Sequence, residues 1–277
     1  MCCFSRPVKQ VSKTQIFARD TGTAQQVLVY SMNLRLIEDA AMVLPLPVAL
    51  GDGGSAQEDA LQFVDLSGYS TFFSDLDRAF PELLGAPKSA RSLRISPQAS
   101  RSRLRVHTVG AFEASFVPSP RDFDRLEPRF RLEPRVFEHV PTYRDYGFAV
   151  FKLKRPASLW TRLRGRPQSY HPMAFGFPRR RSDEIFFPTL HVHDGQVHTQ
   201  ADFDHTLYLQ TPLPIASQPD WEPALGPLAR YVNVANAHHV CDAQAPCFRR
   251  VIEGSQPNQD VRVALRPSPT TNEPLPA

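Results

Sequence analysis

The sequence predicts an α+β domain made mainly of antiparallel sheet, with a few short helices and long Pro-rich loops. Three observations lead there. Short runs of alternating apolar and polar residues recur along the chain, separated by turn residues. Proline is abundant, with 27 residues against 13 glycines, and each interior proline would break a long helix. The hydrophobic share of 42% and the charged share of 22% suit a chain that folds around a core. We expect residues 1–265 to form a single domain, long but within the range of β sandwiches and barrels. Within it, residues 86–102 read as a basic mobile loop, and the Pro-rich residues 266–277 as a disordered tail.

Each element follows from a local pattern. Thr14–Arg19 reads as a strand, Asp20–Ala24 as a polar turn and Gln26–Met32 as the returning strand of a hairpin. Ala41–Val48 is apolar but holds Pro45 and Pro47, which suits a strand end or a sheet edge. Leu61–Leu66 reads as a short buried strand. Ser70 or Thr71 can cap a helix through Phe80, with Phe72, Phe73, Leu76 and Phe80 on one face. Leu104–Val109, Ala111–Val117, Arg129–Leu132 and Tyr146–Leu153 carry strand patterns, and Pro120–Leu126 a helical turn. Pro156–Tyr170 is a second basic loop. Strands then crowd together at Pro172–Phe177, Glu184–His193, Gln196–Thr199 and His205–Gln210. After the Pro-rich stretch Pro212–Pro227, Phe248–Glu253 and Val261–Leu265 are late strands.

Charge and cysteine usage exclude several classes. The net charge of +4 is small, and no zinc finger, RNP pattern or recognition helix is visible, so nucleic acid is not an expected partner. Met1-Cys2-Cys3-Phe4 leads into polar sequence without an apolar leader, and no window is long and apolar enough for a membrane span. Four cysteines in 277 residues make no disulfide framework. The expected location is the cytoplasm. A small molecule or a peptide is the expected class of substrate, and the oligomeric state is left open.

The densest chemistry lies in Leu190-His191-Val192-His193-Asp194-Gly195-Gln196-Val197-His198. Asp-Gly between two alternating runs predicts a two-residue hairpin, because glycine accepts positive φ without penalty. That register sets His191 opposite His198, and alternation puts His191, His193 and His198 on one face. Three imidazoles converging in this way are ligands for a divalent transition metal such as zinc or iron. Asp194 and His205 are expected as further ligands, with Asp202, Asp204 and His171 also near in the sequence. An ion with open positions would activate water or dioxygen, making the reaction hydrolytic or oxidative. The alternative is a plain polar face, since neither His-Glu-x-x-His nor the spaced Glu of a cupin accompanies the histidines.

A competing site is Cys2-Cys3. Removal of Met1 would leave Cys2 with both a thiol and an α-amine, and such an amine can act as the thiol's general base. The segment Ile16-Phe17-Ala18-Arg19-Asp20 resembles the hairpin of cysteine-type N-terminal nucleophile hydrolases that cleave linear amides. That resemblance implies Cys2 as nucleophile, with Arg19 and Asp20 as supports. Pro7 interrupts the strand that should follow, and the family's later asparagine and arginine are not found. The two cysteines also read as buried thiols or as extra ligands to the histidine site. A third, non-enzymatic reading is an interaction protein that docks a partner on its strand face and arginine loops.

Lesser features complete the reading. Cys241 and Cys247, beside His238 and His239, offer a second metal set with atypical spacing. Arg179–Arg181 reads as a solvated turn, with phosphate binding as the sharper alternative. Glu113 is a lone strand acid, read as exposed rather than as a catalytic base. Met1–Phe4, Thr14–Arg19, Ala41–Pro47, Phe112–Pro118, Tyr146–Phe151 and Phe187–His193 together resemble a family of uncharacterised bacterial proteins up to about Gln210. That resemblance implies a bacterial single-domain protein and no particular activity.

Overall fold

The computed structural model describes residues 2–81, 106–110, 112–132, 140–153, 168–192, 196–213, 215 and 220–265. The expected loop at 86–102, the tail at 266–277 and the hairpin tip His193-Asp194-Gly195 lie outside the described residues. In chain order the strands are β1 (Cys2–Phe4), β2 (Val8–Asp20), β3 (Gln25–Leu36), β4 (Ala40–Leu46), β5 (Gln62–Asp65), β6 (Val106–Val109), β7 (Phe112–Val117) and β8 (Gly147–Leu153). They continue as β9 (Gln168–Ser169), β10 (Met173–Pro178), β11 (Glu184–Phe187), β12 (His191–Val192), β13 (Gln200–Gln210), β14 (Glu222–Pro223), β15 (Cys247–Pro257) and β16 (Val261–Ala264). The α-helix among the described residues, α1, spans Phe72–Asp77.

The strands form two main sheets. One has the order β12-β1-β4-β8-β7-β6; the other runs β14-β15-β13-β2-β3-β10-β5, with β9 on β3. A two-stranded ribbon, β11-β16, is separate. Side-chain alternation shows how the layers stack. Ile16, Ala18, Leu28 and Tyr30 of the second sheet meet Met42, Leu44, Phe112 and Phe151 of the first in one core. The in-between residues Phe17 and Val29 face the other way, onto Phe72, Phe73 and Leu76 of α1. Val43, Phe148 and Val150 likewise face outward, onto Phe123, Phe130 and Tyr143 of the 3-10 turns. Both main sheets are therefore covered on both faces. This is why β4 and β8 are buried at every position and read as continuous apolar runs. Each wholly buried Phe contributes about 1.5–3 kcal/mol.

The chain is mostly sheet, as predicted, but the sheets are mixed. Among the described residues the β1–β12 and β2–β13 ladders are parallel and the rest antiparallel. Several local expectations are corrected. Ala41–Val48 is not an edge: β4 lies between β1 and β8. Its Pro45 is tolerated because the β1 ladder covers only Met42 and Val43, leaving β4 paired on one side there. Arg129–Leu132 is not a strand; Pro128–Phe130 form a 3-10 turn that buries Phe130. The helix is shorter than expected, ending at Asp77, although Phe80 still joins the same core. Glu184–His193 is two short strands rather than one, since Pro188 has no N–H to continue a ladder. Gln196–His198 forms no strand, and β13 begins at Gln200. Arg179 is not in a solvated tip: it is buried, with its Nη2 2.8 Å from the Asp20 carboxylate. Glu113 is paired with the buried Lys152 at 3.1 Å.

Candidate functional site

The site is built around β12, a strand too short to hold itself. Its backbone runs parallel to β1, with Cys2 in register with His191 and Cys3 with Val192. The turn between β15 and β16 holds its other side by side chains. Asn258 accepts the His191 N–H at 2.6 Å through Oδ1 and donates through Nδ2 to the carbonyls of His191 and His198, both at 2.9 Å. Asp260 Oδ1 accepts the N–H groups of Thr189 and Leu190 at 3.0 and 3.1 Å. Its Oδ2 accepts from the Tyr143 hydroxyl at 2.5 Å. Burial pushes the Asp260 pKa up, and the groups donating to it pull the other way. The Asn258 amide thus stands where a hairpin ladder between His191 and His198 was expected.

The clamp presents the His191 ring to the second sheet. Along β13 the alternate residues Phe203, His205, Leu207 and Leu209 are buried, so His205 points inward and is 1% exposed. His191 Nε2 lies 3.2 Å from His205 Nε2. The His191 ring stacks on Phe203, with centroids 4.4 Å apart at 27°. Asp204, on the opposite face, is 3.9 Å from His205 Nδ1 and accepts the Lys13 N–H at 2.6 Å. Lys13 sits at positive φ (52°) where the β2–β3 register shifts. Thr14, wholly buried, is the ladder neighbour of His205 on β2. Its Oγ1 has no hydrogen-bond partner among the described residues.

Two uses of this geometry are chemically available. A neutral imidazole can donate its Nε2–H to the lone pair of the other. Alternatively, both lone pairs can face one ion. Ligand nitrogens at 2.0–2.1 Å from a tetrahedral zinc stand about 3.3–3.4 Å apart, close to the observed separation.

The other candidates are distributed as follows. His198 is exposed and contributes its carbonyl, not its ring, to the Asn258 clamp. His193 and Asp194 lie outside the described residues. Among the described residues no group of three or more His, Cys, Asp and Glu is arranged to hold a metal. The backbone of Cys2 is brought beside His191, but Arg19 and Asp20 are not brought to it. They lie five and six residues beyond Thr14 on β2, about 16–20 Å along the strand. There Arg19 donates to the His239 carbonyl at 2.7 Å and Asp20 is spent on Arg179. Cys241 and Cys247 are buried free thiols, and burial pushes the Cys241 thiol up to about 11. His238 and His239 take consecutive positive φ values of 46° and 58° in the turn before Cys241.

Sequence reasoning missed Asn258 and Asp260. A polar Asn-Gln-Asp turn between two strands was the available signal, but nothing in it names a partner 67 residues earlier. No protein-family profile matches the chain. It is similar to the crystal structure of baculovirus P35, at 11% identity over 92% of this chain and 97% of that one, with a TM-score of 0.42. A mutated baculovirus P35 after caspase cleavage, at 3.1 Å resolution, gives 12% over 93% and 98%, with a TM-score of 0.45. The caspase-8/P35 complex gives 10% over 92% and 96%, with a TM-score of 0.44. At such identities, with every TM-score below one half, the likeness transfers no function. No helix among the described residues is long and apolar enough to cross a membrane.

Proposed function

We propose that this chain is a single-domain cytoplasmic protein that binds a transition metal, zinc or iron, between its two main sheets through His191 and His205. The observation that carries this reading is the 3.2 Å separation of the two Nε2 atoms. Two further features support it. Asn258 and Phe203 fix the His191 backbone and ring, which is the rigidity a ligand needs. Thr14 brings a buried, unspent hydroxyl to the same ladder position as His205. A third ligand is drawn from Cys2, whose backbone faces His191, or from His193 and Asp194 in the segment that follows. An ion held this way keeps positions open for water or dioxygen, which suits hydrolytic or oxidative chemistry on a small molecule or peptide.

The experiment is metal analysis of protein purified without chelator, together with cobalt(II) titration read in the visible spectrum. We expect one metal per chain and a cobalt d–d band. Either His191→Ala or the volume-preserving His205→Gln should weaken binding by tenfold or more while the fold, read by circular dichroism, persists. Metal-free protein that gives no cobalt band would discard the proposal.

One observation favours a second reading. The register that sets Cys2 beside His191 would also suit an N-terminal cysteine nucleophile of an amidohydrolase, with imidazole rather than Arg19 or Asp20 as its neighbour. Intact mass and iodoacetamide labelling address it. Retained Met1, or a Cys2 that labels no faster than an ordinary thiol, removes that reading.

A further inference from the structure

A cavity of about 430 Å³ opens where the turn after β10, the 3-10 turn at Pro141–Tyr143 and β16 meet. Its size is that of a small-ligand pocket. Four guanidinium groups line it, Arg144, Arg180, Arg181 and Arg262, against two carboxylates, Asp145 and Glu184. Asp183, outside the lining, pairs with Arg181, so four guanidinium groups face three carboxylates and one positive charge is left over.

The groups are held in place before any ligand arrives. Arg180 lies over the Tyr146 ring at 5.4 Å and donates to the Asp145 side chain and carbonyl, both at 2.5 Å. Arg262 lies over the Phe186 ring at 5.1 Å and is paired with Glu184. Arg181 reaches Asp183 at 2.9 Å. Arg181 spends its Nε–Nη2 edge on Asp183, which leaves its Nη1 donors over. Arg262, in contrast, gives Nη1 to Glu184 and Nη2 to the Tyr146 hydroxyl, and Arg180 also donates through Nε and Nη2 to the Val48 carbonyl. Arg144 is exposed, and no ion pair holds it among the described residues. Tyr146 is 4% exposed, yet it lines the cavity. Its hydroxyl oxygen accepts from Arg262, and its O–H proton meets no acceptor among the described residues. The uncommitted donors of the lining are therefore those of Arg144, the remaining Nη1 of Arg181 and the Tyr146 O–H, while Arg180 and Arg262 are held as its frame. Pro47 and Pro141 add apolar wall.

We propose that this cavity binds a phosphomonoester dianion, with Arg144 and Arg181 as the charged clamp and the Tyr146 hydroxyl as an inner donor. Planar guanidinium forks match phosphate oxygens two at a time, which a compact ammonium cannot do. The ligand is inorganic phosphate itself or the phosphate of a small sugar ester. The site stands apart from the histidine pair and does not depend on a bound metal.

Calorimetric titration of the full chain with inorganic phosphate and with glucose 6-phosphate, at constant ionic strength, decides the matter. One equivalent should bind. The double variant Arg144→Ser/Arg181→Ser should lose at least tenfold in affinity, Tyr146→Phe about threefold, and His205→Gln nothing. A sugar phosphate bound tenfold tighter than phosphate identifies an ester as the ligand; equal affinities identify the free anion. Absence of binding heat with either anion, or unchanged affinity in the folded double variant, overturns the proposal.

Discussion

The sequence predicts two hairpins, and the structure holds the two segments in opposite ways. The β2–β3 hairpin holds itself: its ladder runs from Asp20↔Gln26 to Val8↔Leu36, with shifts only near Gln10 and Lys13. The histidine arm has no such ladder among the described residues. Its two strand residues pair with β1, and its flanks hang on the side chains of Asn258 and Asp260. The first hairpin draws its stability from many equivalent backbone bonds. The histidine arm draws it from a few bonds that a single substitution can remove. A segment that presents one ring to the second sheet is here positioned by side chains from a distant turn.

The largest difference should come from Asp260→Ala. One carboxylate serves Tyr143, Thr189 and Leu190, so its loss leaves three donors without a partner, at about 1–3 kcal/mol for each that stays buried. We expect a loss of about 3–5 kcal/mol in urea unfolding. Hydrogen exchange should quicken at Thr189–Val192 and stay unchanged in β2 and β3. Uniform quickening would show that the arm is not held locally, and the contrast between the hairpins would collapse.

Asn258→Ala is the next step down. It removes one acceptor for His191 N–H and one donor to two carbonyls, for an expected cost of about 2 kcal/mol. Its sharper readout is on metal affinity, which should fall with stability because His191 loses its backbone anchor. Full cobalt affinity in a destabilised Asn258→Ala protein would separate the clamp from the proposed centre.

How far the sequence reveals each hairpin follows from the same contrast. The β2–β3 turn is legible because its bonds lie between neighbours in the chain: alternation sets the faces, and Thr21–Ala24 link the strands. His191 is legible as a chemical residue, and His205 as one of its candidate companions. Their pairing is not legible, because it depends on β1 taking β12 in parallel and on β13 crossing to β2. Local periodicity carries no information about either choice. Pro45 misleads for a related reason: proline signals a missing N–H but not which neighbouring strand stops short of it.

In the self-supporting hairpin a single turn residue should matter less. Gly22 has φ of +78° and open space around its Cβ direction. Gly22→Ala therefore costs only the backbone strain, about 1 kcal/mol. A loss as large as that of Asn258→Ala would mean that the turn, rather than the ladder, carries the hairpin.

The smallest effect concerns a histidine beside the regular sheet. His171 precedes β10, the strand that flanks the β2–β3 hairpin, and burial lowers its pKa below the ordinary 6.5. The Pro172 carbonyl, 3.0 Å from Nδ1, and the Asp65 charge oppose that shift without cancelling it. The folded protein therefore keeps His171 neutral at a pH where the unfolded chain already takes a proton. Stability from this group is complete above about pH 6.5 and falls as the pH drops toward the lowered folded value. Unfolding free energies measured from pH 7.5 to 5.5 should show a shallower acid slope in His171→Gln than in the parent. Equal slopes would mean that the ring titrates alike in both states, and that burial beside β10 does not constrain it.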